Sequence, residues 1–359
     1  MNYSSLIYPS IFIGMNIFRI LVFLYLAQKK TSNEIRSIQN IHYGKNISRL
    51  GGLCFYLSIL PIAVLLGNNQ LFLFLMAVLP IIVVTTLEDI FQIMPPIIRL
   101  ISIFISSIIV CYLFFDKFPI LDIPYLGNLI NNSLIVQIIF YSLAITIISN
   151  GFNLIDGLNG LATSCFMSST LSVMFLALFL TDHSINFINL PYFEHHLIKY
   201  SILFSVIFLL FNFPFGKIFL GDTGAYFLGF ILSFLVIKFY ALNPQISTWS
   251  AILFIIYPFT EVIFSFFRKV FQKKSPFQPD AYHIHLIVYR VFSYGLKNRK
   301  LFSNSVSTIF LSFFIFYPML SIFGILFNSL YMIFFSILFF LILYIILYSA
   351  LVYLDNDLS

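Results

Sequence analysis

Long runs of apolar residues restrict the folding of this chain more than any other feature. A helix of about 18 or more apolar residues crosses the ~30 Å hydrocarbon core of a bilayer. Charged residues make up only 9% of the sequence, whereas a soluble domain is about one quarter charged. The pattern predicts an all-α, polytopic transmembrane helix bundle, one membrane domain over residues 1–359. About eleven spans are predicted, near residues 5–27, 50–67, 71–87, 97–115, 133–149, 160–180, 198–213, 222–241, 248–267, 306–327 and 329–354.

The distribution of Lys and Arg predicts the orientation, because short cytoplasmic loops retain positive charge. Residues 28–49 and 268–301 carry most of the 19 basic residues. Placing both loops in the cytoplasm puts the N-terminus outside and the C-terminus inside. Three further loops then share the cytoplasmic face, and we expect all five to form one active site: 28–49, 88–96, 150–159, 214–221 and 268–301. The net charge of +6 reflects this topology and attraction to anionic headgroups, not nucleic-acid binding.

Carboxylates recur where predicted spans meet the cytoplasmic face. Glu88 and Asp89 follow a long apolar run, and adjacent carboxylates repel one another unless a cation or protons lie between them. Asp222 stands between Gly221 and Gly224 and opens an apolar span. Its carboxylate and the first N–H groups of a helix together suit a metal ion and phosphate oxygens. The alternatives are a solvated helix end for the acidic pair and a simple helix N-cap for Asp222.

The stretch "ISNGFNLIDGLNGLA" places Asn153, Asp156 and Asn159 three residues apart near the end of an apolar run. This spacing favours one broad helix face, and the intervening glycines allow a diphosphate or another backbone to approach closely. The alternative is a polar turn between two spans. An unpaired carboxylate among apolar residues is costly, so Asp156 favours a functional role.

The last inner loop, "FRKVFQKKSPFQPDAYHIHLIVYRVF", combines basic residues with His283 and His285. Basic side chains beside a bilayer attract phosphates of lipids or nucleotides. Two histidines at positions i and i+2 do not share a helix face, so joint binding requires extended backbone. A surface loop with membrane-facing lysines is the alternative. The outer loops, 116–132 and 181–197, also carry acids and histidines, and we expect them to be solvated and without a catalytic role.

The joint order of these motifs resembles the polyprenyl-phosphate N-acetylhexosamine-1-phosphate transferase family, which is glycosyltransferase family 4. The resemblance covers about residues 40–290, through "HYGKNISRLGG", "EDIF", "NGFNLIDGLNGLA", Asn212 before "GDTGAYFLG", and "PDAYHIH". The chain departs from the family at four positions. Glu88 and Asn159 stand where Asp is common, Ala281 stands where Arg is usual, and Leu286 stands where His is common. The triple-histidine loop of the muramoyl-pentapeptide branch is absent, which favours a surface-polysaccharide branch.

The resemblance implies an Mg²⁺-dependent transferase of the bacterial inner membrane, with Mn²⁺ as the alternative ion. Its donor would be a UDP-N-acetylhexosamine and its acceptor undecaprenyl phosphate, with UMP released and a lipid-linked glycan such as O-antigen started. The resemblance leaves open whether the protein forms a homodimer. The implied catalytic acids are Asp89, Asp156 and Glu88, and the implied metal ligands are Asp222 and Asp156. The implied substrate-binding residues are Lys45, Arg49, Asn153, Asn159, Asn212, His283 and His285.

Two other functions compete with this interpretation. A transporter or flippase of lipid-linked sugar also uses intramembrane acids and broken spans, but it predicts acids near the bilayer midplane and a repeat that relates two halves. Here the acids lie at one predicted face, and the sequence contains no visible repeat. An inactive scaffold with the family fold is the second alternative, and the departures at Glu88, Asn159 and Ala281 support it.

Overall fold

The computed structural model of the protein describes residues 4–29, 47–183, 190–275, 281–296, 300–326 and 329–358, and every regular element in these ranges is a helix. The first eight are α1 (Ser4–Lys29), α2 (Gly51–Leu65), α3 (Asn69–Ala77), α4 (Leu79–Phe91), α5 (Pro96–Phe114), α6 (Leu126–Asn131), α7 (Leu134–Ile155) and α8 (Leu161–His183). The others are α9 (Tyr192–Asn212), α10 (Gly221–Leu242), α11 (Ala251–Phe254), α12 (Ile256–Phe271), α13 (Ile284–Gly295), α14 (Lys300–Phe310), α15 (Ser312–Leu326) and α16 (Leu330–Leu358). A short 3-10 turn, Thr248–Ser250, precedes α11.

The length and composition of these helices identify an integral membrane protein. In the described ranges, eight helical segments are long and apolar enough to cross a membrane, and ten qualify if each of two bent pairs counts as one span. Helix α2 is apolar but shorter, at 15 residues. The predicted all-helical, multi-span class is therefore confirmed.

Two of the predicted spans are sharply bent. Helices α3 and α4 meet at an angle of 50°, and the segments on either side of Ile255 meet at 86°. Pro80 lies at the start of α4 and Pro258 in the first turn of α12. Proline has no N–H and is tolerated in the first turn of a helix, so a helix readily restarts there. Hydropathy alone could not predict the bends, because the apolar run continues through each of them.

The expectation of a solvated outer loop at 181–197 is wrong for its last part. Helix α9 already begins at Tyr192, and Glu194 is only 2% exposed. The Oε1 atom of Glu194 lies 3.9 Å from Nζ of Lys238, near the end of α10, and Lys238 also donates to the carbonyl of Phe114 at 2.7 Å. A buried carboxylate is tolerated here because a cation compensates it.

Helix α10 is the centre of the bundle and nearly all its residues are buried. It packs against α7, α4, α8 and α2. Its start touches the start of α2 so closely that a Cβ on Gly52 would lie 2.0 Å from the backbone N of Gly224. Gly52 N donates to the carbonyl of Leu220 at 2.9 Å. This backbone contact fixes Arg49, just before α2, beside the first turn of α10.

Substitution of Gly52 by Ala tests this close approach. The added methyl group meets backbone atoms that cannot move independently, so we expect a loss of stability of about 1–3 kcal/mol. The measurement is thermal unfolding of the purified protein in detergent. Gly14→Ala is the matched control, because no atom lies within 4 Å of the added Cβ at that position. Equal unfolding temperatures for the two variants would contradict the packing described.

Candidate active site

Asp89 caps the start of helix α10 from the end of helix α4. Its Oδ1 accepts from Asp222 N at 2.8 Å, and its Oδ2 accepts from N and Oγ1 of Thr223 at 2.9 and 2.8 Å. The first N–H groups of a helix have no partner within the helix, and its positive dipole end favours an anion. Gly221 permits the contact because its φ is +75° and a Cβ there would lie 2.7 Å from Asp89 Oδ2.

The Asp222 carboxylate lies between two guanidinium groups. Arg49 Nη2 donates to its Oδ1 at 2.8 Å, and Arg99 Nη1 donates to its Oδ2. Burial alone would lower the pKa of Arg49, but the carboxylates of Asp89 and Asp222 outweigh it and raise this pKa, so Arg49 stays charged. Guanidinium groups also bind phosphate oxygens well. The pair is therefore suited to anions beyond Asp222.

Glu88 lies at the edge of this cluster. Its Oε2 accepts from Met94 N at 2.8 Å, and its Oε1 is 3.9 Å from Arg99 Nη1. The first contact closes the turn between α4 and α5, and the second adds negative charge beside Arg99. The pairing of Arg99 with Asp222 was not predicted from the sequence. The one indication in the sequence is that Arg99 lies in the first turn of the span that follows Glu88 and Asp89.

Asp156 occupies the C-cap position of α7, where its N donates to the carbonyl of Asn153 at 3.3 Å. Its pKa is raised well above the usual value, chiefly because burial disfavours the charged form and also because Asp222 and Asp89 are near; Arg49 opposes the rise. Asp89, Asp156 and Asp222 therefore belong to one electrostatic cluster. A carboxyl group with a raised pKa binds a proton more tightly than an ordinary carboxylate does, which suits it to accept one.

Asn159 and Asn212 connect the turn after α7 with the loop after α9. Gly160 N donates to Asn212 Oδ1 at 2.6 Å, and Asn159 Nδ2 donates to the carbonyl of Pro214 at 3.2 Å. Asn159 N in turn donates to Oδ1 of Asn304 on α14 at 2.9 Å. Because α7 ends before Asn159, this residue lies in a turn and not on the helix face expected from its spacing. Its contact with substrate, and that of Asn212, stay predictions.

The two histidines of the last loop lie side by side. Their rings stack with centroids 5.7 Å apart, because His283 has extended backbone just before α13 begins. His283 Nδ1 is 3.0 Å from Oε2 of Glu261, a buried acid on α12 that sequence analysis missed. The ring of His285 packs against Gly157, where a Cβ would lie 2.3 Å from its Nε2. The last loop thus reaches the residue next to Asp156.

His285 is neutral near pH 7. Burial lowers its pKa to about 3 despite the opposing effect of Glu261. Its Nδ1 atom is buried and has no hydrogen-bond partner among the described residues. A contact between His285 and a phosphate would therefore be a hydrogen bond from a neutral imidazole and not an ion pair. Lys45, the other predicted phosphate ligand of this type, lies outside the described residues.

The charges of the cluster fit a divalent cation. Four carboxyl groups lie near two guanidinium groups: Glu88, Asp89, Asp156 and Asp222 beside Arg49 and Arg99. If all are ionised, the four acids exceed the two arginines of this described cluster by two negative charges. No group of three His, Cys, Asp or Glu side chains in the described ranges surrounds a common metal position. Mg²⁺ does not require one, because it commonly takes one or two carboxylates together with water and substrate phosphates.

Fold and site together define an integral membrane protein with a cluster of acids and arginines at one end of its helix bundle. The sequence matches the model of glycosyl transferase family 4 over residues 71–240. This match covers just under half of the chain, and it agrees with the family that the motifs resemble.

Three relatives illustrate the similarity. Undecaprenyl-phosphate alpha-N-acetylglucosaminyl 1-phosphate transferase of Thermotoga maritima is 26% identical over 268 residues, 74% of this chain and 76% of the relative. A probable undecaprenyl-phosphate N-acetylglucosaminyl 1-phosphate transferase of Bacillus subtilis is 33% identical over 174 residues, 47% of this chain and 43% of the relative. Phospho-N-acetylmuramoyl-pentapeptide-transferase of Leuconostoc mesenteroides is a weaker match, 28% identical over 274 residues, 70% of this chain and 80% of the relative.

The lowered pKa of His285 predicts a pH dependence of stability. The unfolded chain binds a proton at this residue below about pH 6.5 and the folded chain only near pH 3, so stability falls as pH decreases through that window. The loss between pH 7 and pH 5 is about 2 kcal/mol. We expect His285→Gln to lose less stability than the unaltered protein over this range, measured by thermal unfolding. His195→Gln controls for removal of a histidine elsewhere, and identical pH profiles for all three proteins would contradict the prediction.

Proposed function

We propose that this protein transfers N-acetylhexosamine-1-phosphate from a UDP-sugar to undecaprenyl phosphate. The observation that carries the proposal is the cluster of Asp89, Asp156 and Asp222 with two arginines, at one end of a membrane bundle of family 4. The names of the Thermotoga and Bacillus relatives describe this type of transfer. They support N-acetylglucosamine-1-phosphate as the first group to test.

In the proposed reaction, a phosphate oxygen of the lipid attacks the phosphorus that carries the sugar. The bond between this phosphorus and the bridging oxygen of the donor diphosphate breaks, and UMP leaves with that oxygen. The products are a polyprenyl-diphospho-sugar and UMP. Because two polyanions must meet, the site has to offset their repulsion and the charge that develops on the leaving phosphate.

The geometry favours different roles for two of the acids. Asp89 accepts three hydrogen bonds from the start of α10, so we assign it the positioning of Asp222. Asp156 has a raised pKa, so we assign it the orientation of the lipid phosphate and the removal of its proton. Glu88 supports Arg99 at the edge of the site.

Cationic and neutral donors surround the acids and would bind phosphate oxygens. We assign the donor diphosphate to Arg49 and Arg99, whose guanidinium groups already converge at Asp222. We assign His283, His285 and Asn153 of α7 to the same task, as the sequence predicts. Lys45 completes the predicted set of basic ligands. Arg99 is added to this set from the structure.

A magnesium ion held by Asp222 and Asp156 would offset charge on the two phosphates. Carboxylate oxygens suit Mg²⁺ and also Mn²⁺. Both carboxylate oxygens of Asp222 accept hydrogen bonds from arginines. A cation at Asp222 would therefore compete with Arg49 and Arg99, and the arginines would become available to the diphosphate.

We place the site at the cytoplasmic face of the bacterial inner membrane, with the N-terminus outside. Eleven spans follow if α2 is counted with the ten candidates. Arg49, Asp89, Asp156 and Asp222 then all lie at span ends on one side, together with the basic loops that favour the cytoplasm. A UDP-sugar donor is available on that side. The product would start a lipid-linked surface glycan such as O-antigen.

The first test is transfer of radiolabel from a panel of UDP-N-acetylhexosamines to undecaprenyl phosphate in detergent, with lipid-linked label and UMP both measured. We expect one donor to give both products in equal amounts, and EDTA to stop the reaction because the two phosphates are then left uncompensated. A panel without product, beside an active relative in the same assay, would refute the proposal.

Asp222→Asn tests the centre of the site. We expect transfer to fall by at least about a hundredfold, since an interaction with developing charge is worth about 3–4 kcal/mol. The protein should still fold, because Asn is isosteric with Asp. Asp122→Asn, in the exposed segment after α5, makes the same chemical change away from the site and should leave transfer unaltered. Comparable activity in the two variants would remove Asp222 from the reaction.

A further inference from the structure

Helix α16 lies at the periphery of the bundle, and only one face of it is packed. Its buried residues are Ile333, Phe340, Tyr344 and Leu351. Nevertheless, its last turns make polar contacts with the helices that flank the histidine loop. Tyr348 Oη accepts from Arg268 Nη1 of α12 at 3.2 Å, and Asp355 binds Arg290 of α13. The contact between Asp355 and Arg290 is the stronger one, and Arg290 also contacts the loop before His283.

Arg290 uses all three of its guanidinium nitrogens. Its Nε lies 3.1 and 3.0 Å from the two carboxylate oxygens of Asp355, and its Nη2 donates to Asp355 Oδ2 at 2.6 Å. Its Nη1 donates to the carbonyl of Ala281 at 2.7 Å. The guanidinium carbon also lies 5.7 Å from the ring centroid of Tyr282. Arg290 is thus held by α16 on one side and holds two loop residues on the other.

Those two loop residues immediately precede His283. The carbonyl of Ala281 and the ring of Tyr282 are fixed by Arg290, and the following residue is extended before α13 begins. His283 is then held at its Nδ1 by Glu261. Without Arg290, the backbone before His283 loses the hydrogen bond that holds the carbonyl of Ala281. The direction of the His283 ring therefore depends on Arg290, and the direction of Arg290 depends on Asp355.

We propose that Asp355 is a positioning residue for the sugar-nucleotide donor, acting through Arg290 on the loop that carries His283. Asp355 belongs to α16 and makes its contact on the side of Arg290 opposite the loop. This inference rests on the proposed function, because it takes His283 as a ligand of the donor. It assigns to the end of α16 an effect on donor binding and none on binding of the lipid acceptor.

The size of the effect follows from the contact. The pair is partly exposed, with 30% of the Arg290 side chain and 13% of the Asp355 side chain accessible. Solvent screens such a pair, although its fork geometry makes it stronger than a single exposed contact. We therefore expect Asp355→Asn to raise the KM for the donor about three- to tenfold. The KM for undecaprenyl phosphate and the kcat should change by less than about twofold.

The experiment measures steady-state transfer with UDP-N-acetylglucosamine as the donor, or the panel donor that supports transfer, and varies each substrate separately. Asp357→Asn is the matched control, because this exposed acid is only two residues away on the same helix. Asp355→Glu retains the carboxylate, so its donor KM should be closer to that of the unaltered protein than to that of Asp355→Asn. Thermal unfolding of each variant is measured in the same detergent.

A double-mutant cycle tests the route through Arg290. In an Arg290→Gln protein the donor KM should already be raised, and adding Asp355→Asn should raise it no further. The proposal would be overturned if the two substitutions acted independently, so that their effects on the donor KM multiplied. It would also be overturned if Asp355→Asn raised both KM values equally or matched Asp357→Asn. If Asp355→Asn does not fold, Arg290→Lys gives the same comparison, since Lys cannot reproduce the forked contact.

The two proposals fail in different ways. If the unaltered protein transfers no sugar phosphate from any donor, the proposed function is refuted and this inference falls with it. If the unaltered protein is active and Asp355→Asn keeps its donor KM, only the role of Asp355 is refuted. A selective rise in donor KM that Asp355→Glu reverses supports both.

Discussion

The site depends on the hydrogen bonds between the Asp89 carboxylate and the start of helix α10. That helix runs through the middle of the bundle, and its first residues, Asp222 and Thr223, are buried. Orphan donors in such a place need an acceptor, and Asp89 supplies one for the N of Asp222 and the N of Thr223. The same contact orients the Asp222 side chain towards Arg49 and Arg99. One carboxylate therefore satisfies the helix and arranges the acid beside it.

The sequence predicted the parts of this arrangement better than their connections. Apolar runs predicted the helices, and short polar motifs predicted Asp89, Asp156 and Asp222 as neighbours, because each motif stands at the end of a span. The hydrogen bonds from α10 to Asp89 could not be predicted, since they join residues more than a hundred positions apart. Glu261 was missed for a similar reason. A single acid inside an apolar helix gives no local sign that a histidine from another loop will pair with it.

Other differences arose where hydropathy carries no geometric information. A bend of 86° at Ile255 leaves the apolar run unbroken, so a span and a bent pair have the same pattern. Glu194 seemed to belong to a loop because polar residues surround it, yet α9 includes it and Lys238 compensates its charge. The opposite holds for Asn159, whose three-residue spacing suggested a helix although α7 ends before it, at Ile155. In each case tertiary contacts decided between two local conformations of similar cost.

The two ends of helix α10 indicate why one face of this bundle suits chemistry and the other does not. Asp222 lies in its first turn and Lys238 near its last, so both charges match the helix dipole. At the Lys238 end, Glu194 and the carbonyl of Phe114 balance the cation. At the Asp222 end, the acids of the described cluster outnumber its arginines, and the pKa of Asp156 is raised first by burial and then by the nearby carboxylates of Asp222 and Asp89. An excess of buried negative charge is costly unless a cation or a proton relieves it. Of the two ends of α10, the Asp222 end is therefore the one whose charge a bound cation would offset.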